Sequence, residues 1–285
     1  MTDITNPLAN HFRQPKLYMK LPSGGTFNSK SELDMPDSNE VAIFPMTAKD
    51  EILMKNPDAL LNGEAVLQVI KSCVPSAIIP SELTNLDVDA LLMGIQAATF
   101  GDEMEVSSIC DHCEGEEELN GATSIQDALD QIEPLEEDTV IDYQGLKVFL
   151  RPVRYKSTIE AGLINFQTTR SLQSIADLPD DLDKLKIFNE NFNRMAVLNF
   201  KLICDSIEKI VIENSEDEDT VVTDRDQIIE FLENCEASIG KQIEVETTKI
   251  STTGIKKNVS FQCEKCDKIT EKEIVLDPVN FFMAS

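Results

Sequence analysis

The sequence has no tryptophan, two histidines (His11 and His112) and three tyrosines, and the shortage of imidazoles removes most hydrolytic and metal-catalytic motifs. There is no H-E-x-x-H, no G-x-S-x-G and no plausible Cys-His pair outside the turn that holds His112. Gly25-Thr-Phe-Asn-Ser-Lys30-Ser31 lacks the glycine that precedes the lysine of a phosphate loop, and no apolar strand leads into it. No apolar run approaches membrane-spanning length. Positive charge is scarce as well. With 25 Lys and Arg against 52 Asp and Glu, the net charge is −27, which argues against nucleic acid as the main partner, because phosphate contacts need clustered cations. The expected class is a soluble, non-enzymatic protein that binds other proteins. At 285 residues it can bury one sizeable core or two modest ones.

The shortage of cations is also local. Between Lys71 and Lys147 lie 75 residues with no Lys or Arg, and they carry 18 acidic side chains, 14 of them between Asp102 and Asp138. Such a block reads either as a solvated acidic face or as a docking surface for a basic partner. The segment Met1–Lys30 has the opposite sign. It holds Arg13, Lys16, Lys20 and Lys30 against Asp3, and Pro7, Pro15, Pro22 and the Gly24-Gly25 turn keep it extended. An arm with so few apolar residues must borrow order from a surface or stay mobile, so Arg13, Lys16 and Lys20 are candidate docking residues, in trans or on the acidic block.

What the chain does have is two short cysteine pairs, Cys110-Asp-His-Cys113 and Cys263-Glu-Lys-Cys266, separated by 149 residues. C-x-x-C is the spacing at which one tight turn aims two thiolates at one metal. Each pair therefore reads as half of a tetrahedral, structural zinc site that ties the early chain to its C-terminal part. Four thiolates leave no open position for catalysis. A redox motif would be a single pair opening a helix, and a disulfide framework implies secretion, for which no leader is evident. His112 replacing one thiolate is a further alternative. Cys73, Cys204 and Cys235 stand alone in apolar helical patterns and read as core residues. Glu114 and Glu116–Glu118 beside the first pair face Lys256, Lys257, Lys265, Lys268 and Lys272 around the second, a charge match that favours joining the two halves.

Caps and periodicity predict an α+β fold with a helical core and a bipartite zinc-ribbon-like element made by the two knuckles. The expected divisions are a basic arm (1–30), a helical region (31–100), the first knuckle with an acidic loop and hairpin (101–156), a second helical region (157–242), and the second knuckle with a terminal strand (243–285). Helices are expected to start at Thr47, after Asn62-Gly63, across Asp87–Phe100, at Ser157 and at Thr223. A long helix from Asp181 to Ile207 carries Leu185, Phe188, Phe192, Met195, Ala196, Phe200, Ile203 and Ile207 as a stripe, read as core rather than as a partner groove. Strands are expected on either side of each knuckle, as a hairpin turning at Gln144-Gly145, and over Ile243–Ile250.

Four stretches, Leu21-Pro-Ser-Gly-Gly25, Pro45-Met-Thr-Ala-Lys-Asp-Glu51, Asn56-Pro-Asp-Ala-Leu-Leu-Asn-Gly-Glu64 and Ile70-Lys-Ser-Cys-Val74, resemble the N-terminal signature of the baseplate hub proteins of T-even-type contractile-tailed bacteriophages. The two C-x-x-C pairs and Leu276-Asp-Pro-Val-Asn-Phe-Phe282 are similar to later segments of that family. The resemblance implies a structural or assembly component of the baseplate hub, in the virion tail or in an assembly intermediate in the host cytoplasm, with other hub proteins as partners. A zinc-ribbon adaptor or an uncharacterised enzyme unrelated to phage tails is the alternative class. Within the signature, Pro22, Gly24 and Gly25 set a turn, while Pro45, Met46, Thr47, Lys49, Asp50 and Asn56 lie where a helix starts or ends. There they either face a partner or cap and pack locally. On the first reading, charge reversal at Lys49 and Asp50 leaves the fold intact.

Overall fold

Side-chain caps organise the first hundred residues. Thr47 Oγ1 accepts the Asp50 N–H while the Asp50 carboxylate accepts the Thr47 N–H, a reciprocal box that starts α1 (Ala48–Met54). Asn56 Oδ1 caps α2 (Pro57–Leu61), which has Pro57 at its first position. Gly63, at φ 72°, turns the chain into α3 (Glu64–Cys73), and Thr84 caps α4 (Asn85–Phe100). The computed structural model describes residues 8–113, 118–131, 134–135, 139–175, 181–213, 219–252 and 258–273.

These helices enclose the first of two cores. Val41 and Ile43 of β2 (Val41–Ile43), Met54, Val69, Ile70, Leu91 and Ile95 are all at most 1% exposed. β1 (Leu17–Met19) pairs antiparallel with β2, placing Leu17 opposite Ile43 and Met19 opposite Val41. The arm thus borrows its order from the core, into which it is built from Leu17 onward, with Met19 and Leu21 buried. Its order comes from strand pairing, a signal too short to read in a three-residue stretch. Ile125 and Leu129 of α5 (Ile125–Asp130) complete this core.

The second core lies between a four-stranded antiparallel sheet and two helices. β5 (Thr139–Tyr143) and β6 (Leu146–Leu150) form the expected hairpin, with Gln144 and Gly145 both at positive φ, as a two-residue turn requires. β7 (Ile207–Ile212) and β8 (Thr220–Val222) extend it. Ile141, Val148, Leu150, Ile207 and Ile210 meet Ile228 of α8 (Arg225–Asn234) and Ile239, Ile243 and Ile250 of α9 (Ala237–Thr252). A strand over Ile243–Ile250 is therefore incorrect. Ile239, Ile243 and Ile250 recur at intervals of four and seven, which is helical spacing, and the apparent alternation reflected β-branched composition alone.

Between β6 and β7 the chain forms an antiparallel helical hairpin, α6 (Tyr155–Ile175) and α7 (Asp181–Asp205). α6 begins at Tyr155, ahead of the expected cap; the Ser157 hydroxyl instead donates to Asp205 at 2.8 Å. α8 is capped by Asp224, one residue past Thr223. The chain leaves α7 before Ile207 and enters β7 there. The apolar stripe divides: Ile207 is buried and Met195, Phe200 and Ile203 are half-buried, but Ala196 is exposed and Leu185, Phe188 and Phe192 are 59%, 55% and 65% exposed, so its first half is not core.

The two cores meet at a polar clamp. Leu83 C=O accepts the Tyr155 N–H at 2.8 Å, the Asn85 N–H reaches Val153 C=O at 3.1 Å, and Glu82 binds both Arg154 and Lys156. The mixture of helices with small antiparallel sheets fits α+β. Among the described residues, no helix is long and apolar enough to cross a membrane.

Candidate metal centre

Two antiparallel hairpins carry the cysteine pairs. β3 (Glu103–Ile109) and β4 (Glu118–Ser124) flank Cys110 and Cys113, with Glu103 opposite Ser124 and Ile109 opposite Glu118. β9 (Asn258–Gln262) and β10 (Ile269–Glu273) flank Cys263 and Cys266 in the same way. Each sequence alternates as a strand up to its first cysteine, then tightens. In the second knuckle the Asp267 N–H returns to Cys263 C=O at 2.9 Å, and Asp267 takes φ 58° so that the Cys263 N–H can reach Lys268 C=O. In the first, the His112 N–H donates to Cys110 Sγ at 3.4 Å.

β4 lies beside β9 and brings the pairs together. All four Sγ atoms fall within 4.8 Å of one another, with Cys110 to Cys266 at 3.8 Å and Cys113 to Cys263 at 3.7 Å. A tetrahedron with metal–sulfur bonds of about 2.3 Å has sulfur–sulfur edges of about 3.8 Å, so the donor set fits a tetrahedral thiophilic cation such as zinc. Cys110 and Cys263 are buried and Cys113 and Cys266 half-buried. His112 is exposed and outside the cluster, contributing its backbone N–H alone.

The thiols perturb one another in opposite directions. The Cys266 backbone N–H, first among several causes, draws the Cys263 thiol down to about 7, whereas loss of water, followed by the neighbouring sulfurs, pushes Cys113 up to about 12. Four adjacent sulfurs cannot all ionise by themselves; a divalent cation would relieve that repulsion, so its affinity would fall in acid as the thiolates take up protons. The surrounding apolar cluster is very small. Among the described residues, Phe261 is its one large buried side chain, with Val259 partly buried beside it.

Lys272 Nζ meets Asp111 across the knuckles at 2.5 Å. Glu114–Glu117 and Lys256–Lys257 lie outside the described residues, so their expected pairing does too. Cys73 and Cys204 are core residues as read, with burial raising each thiol to about 11; Cys235 is half-buried.

The N-terminal candidates separate into two groups. Arg13 Nη1 donates to Pro45 C=O at 2.6 Å, Nη2 donates to Ser72 C=O at 2.7 Å, and the guanidinium sits 3.5 Å from Asp50. Its charge is spent inside the first lobe and away from the acidic block. Asp50 is buried and also accepts from Thr47 and Ser72, so reversing its charge would break the lobe instead of leaving the fold intact. Thr47 and Asn56 are exposed helix caps, Pro22 is buried, and Gly25, Pro45 and Met46 are half-buried. Lys16, Lys20, Gly24 and Lys49 are exposed, and Tyr18, 58% exposed, stands between the two lysines on the outward face of β1.

A residue that the sequence reading passed over ties this region together. Asp87 is fully buried and accepts from the Ser23 N–H at 3.0 Å, the Ser23 hydroxyl at 2.6 Å and the Thr84 hydroxyl at 2.7 Å. The Ser23 of Leu21-Pro-Ser-Gly-Gly25 is thus the anchor between the arm and α4. An acidic residue three positions after a capping Thr was the available signal.

A family model described as T4 bacteriophage base plate protein matches residues 15–283. Neither the curated proteins nor the solved structures give a match.

Proposed function

The chain belongs to the T4 bacteriophage base plate protein family, and from that premise we propose that it is a structural or assembly component of the baseplate hub. It acts through contacts with other hub proteins, in the virion tail or on an intermediate assembled in the host cytoplasm, and performs no catalysis. A structural zinc held by Cys110, Cys113, Cys263 and Cys266 joins its two knuckles. The observation that carries the phage reading is the family match, which runs almost the whole length of the chain. The zinc rests on a four-sulfur donor set in which two edges, 3.8 and 3.7 Å, match a tetrahedral zinc site, with no fifth ligand among the described residues. Nothing specific favours an adaptor or enzyme outside phage tails.

The exposed residues of the basic arm and of the N-terminal signature are the proposed contact residues: Lys16 and Lys20, with Tyr18 between them, and Lys49. On a protein of net charge −27 they present cations beside an aromatic ring, a combination suited to an acidic protein partner. Affinity capture of the tagged chain from phage-infected cells, with elemental analysis of the purified protein, tests both halves. Co-purification of baseplate hub proteins and about one zinc per chain are expected. Capture of no baseplate protein would refute the hub role, and the absence of zinc after chelator-free purification would refute the metal.

A further inference from the structure

The first half of α7 carries an apolar seam that the fold leaves in solvent. Leu185, Phe188 and Phe192 are more than half exposed and continue to the half-buried Met195 at intervals of three, four and three residues, the spacing of a helix that packs lengthwise against one other helix. α6 does not fill that role, because it meets a different side of α7. Asn191, one residue round from Phe192, is buried and donates to Ser171 of α6 at 3.1 Å, and Leu198 is buried on that same side. On α6, Phe166 and Leu172 are also 46% and 42% exposed.

Charge indicates what can approach this seam. Residues 155–205 hold seven acidic and six basic side chains, a net charge of −1, so the other 234 residues carry −26. Of that −26, residues 1–71 carry only −2 and residues 72–154 and 206–285 together −24, so two copies repel one another over the acidic parts of the chain and not over the hairpin. The three exposed seam side chains offer roughly 350 Å² of apolar surface per chain, within the range of the largest patch a monomer leaves open. Two copies pooling it, with an asparagine rim at Asn189 and Asn193, reach the low end of specific interfaces, below roughly 1,200 Å².

We propose that the α6–α7 hairpin is a homodimerisation surface, in which the Leu185-Phe188-Phe192 seam packs antiparallel on the same seam of a second copy to give a four-helix arrangement about a two-fold axis. An isologous contact of this kind requires one self-complementary stripe, which is what a single seam supplies. The proposal does not rest on the hub role or on the metal.

Sedimentation of the purified full chain from low to high micromolar concentration tests it. The expected result is a monomer–dimer equilibrium reaching twice 31.8 kDa. Dimerisation should tighten as salt screens the repulsion between acidic faces. The double variant Phe188→Asp, Phe192→Asp should weaken it by at least about a hundredfold while leaving the helical circular dichroism unchanged, because both side chains are exposed. A chain that stays monomeric throughout, a dimer indifferent to the double variant, or one that weakens with added salt would each overturn the proposal.

Discussion

Replacing Cys263 and Cys266 together with serine should detach the second knuckle while sparing both main cores. Without a metal, the two hairpins are held mainly by Phe261, whose burial stabilises by about 1.5–3 kcal/mol, and by the partly exposed Lys272–Asp111 pair, which adds about 0–1 kcal/mol. A bound four-thiolate zinc contributes about 10–16 kcal/mol at neutral pH in small peptides. Closing a loop of this length costs about 5 kcal/mol on the chain-entropy model. Even with the whole closure cost charged to the metal, about 5–11 kcal/mol remains, several times the contribution of Phe261. A two-stranded hairpin alone is marginal in water.

Hydrogen exchange read by mass spectrometry reports this directly. In the zinc-loaded protein the amides of β9 and β10, and the Cys263 N–H bonded to Lys268, should be protected. In the variant their protection should fall by about a thousandfold or more, at 1.4 kcal/mol per tenfold, while amides of α3 and α4 hold theirs. If β9 and β10 keep wild-type protection in the metal-free variant, protein contacts alone hold the knuckles and the reasoning is wrong.

Other substitutions probe the rest of the frame. Asp87→Ala leaves the Ser23 N–H and two buried hydroxyls without their acceptor and should lower the unfolding free energy by about 3–5 kcal/mol in urea titrations, with Ser23→Ala milder. Gly63→Ala places a Cβ 2.6 Å from the Ile159 side chain at φ 72° and should cost about 1–3 kcal/mol, read as a lowered melting temperature. Burial opposes ionisation of Glu82, but hydrogen bonds from Lys156 and Arg154 outweigh it and hold this carboxyl below the usual glutamate range. Its stabilisation is therefore complete above the unfolded value near 4.5 and lost as pH falls through the lower folded value, so Glu82→Gln should be less stable than wild type at neutral pH, and the gap should narrow as pH falls below the usual glutamate range. Lys16→Glu with Lys20→Glu, both exposed, should leave the melting temperature within about a degree while reducing capture of baseplate proteins; unchanged capture would remove these residues from the contact surface.

The sequence was most legible where one local rule settled the outcome. Gln144-Gly145 demanded a tight hairpin, Thr47 and Asp50 formed a reciprocal cap, and each C-x-x-C fell between two strands because a knuckle needs a hairpin to hold it. That the pairs meet across 149 residues followed from thiolate number alone, since two ligands cannot complete a tetrahedron. Reading failed where one pattern served two physical ends. Ile243 and Ile250 suit a strand or a helix until the length and the partner of the segment are known, and Ile239 a turn earlier is what makes them one helical face. Arg13 was misread because charge counting sees a cation on an arm, whereas its partners, Asp50, Ser72 and Pro45, lie between 32 and 59 residues away. The stripe on α7 is the sharper case. Its helical period was correct, but periodicity reports only that one face is apolar, and whether that face meets this chain or another is set by where the neighbouring helix sits. Here α6 engages Asn191 and leaves Phe188 and Phe192 to solvent, so the pattern that normally marks a core marks a surface.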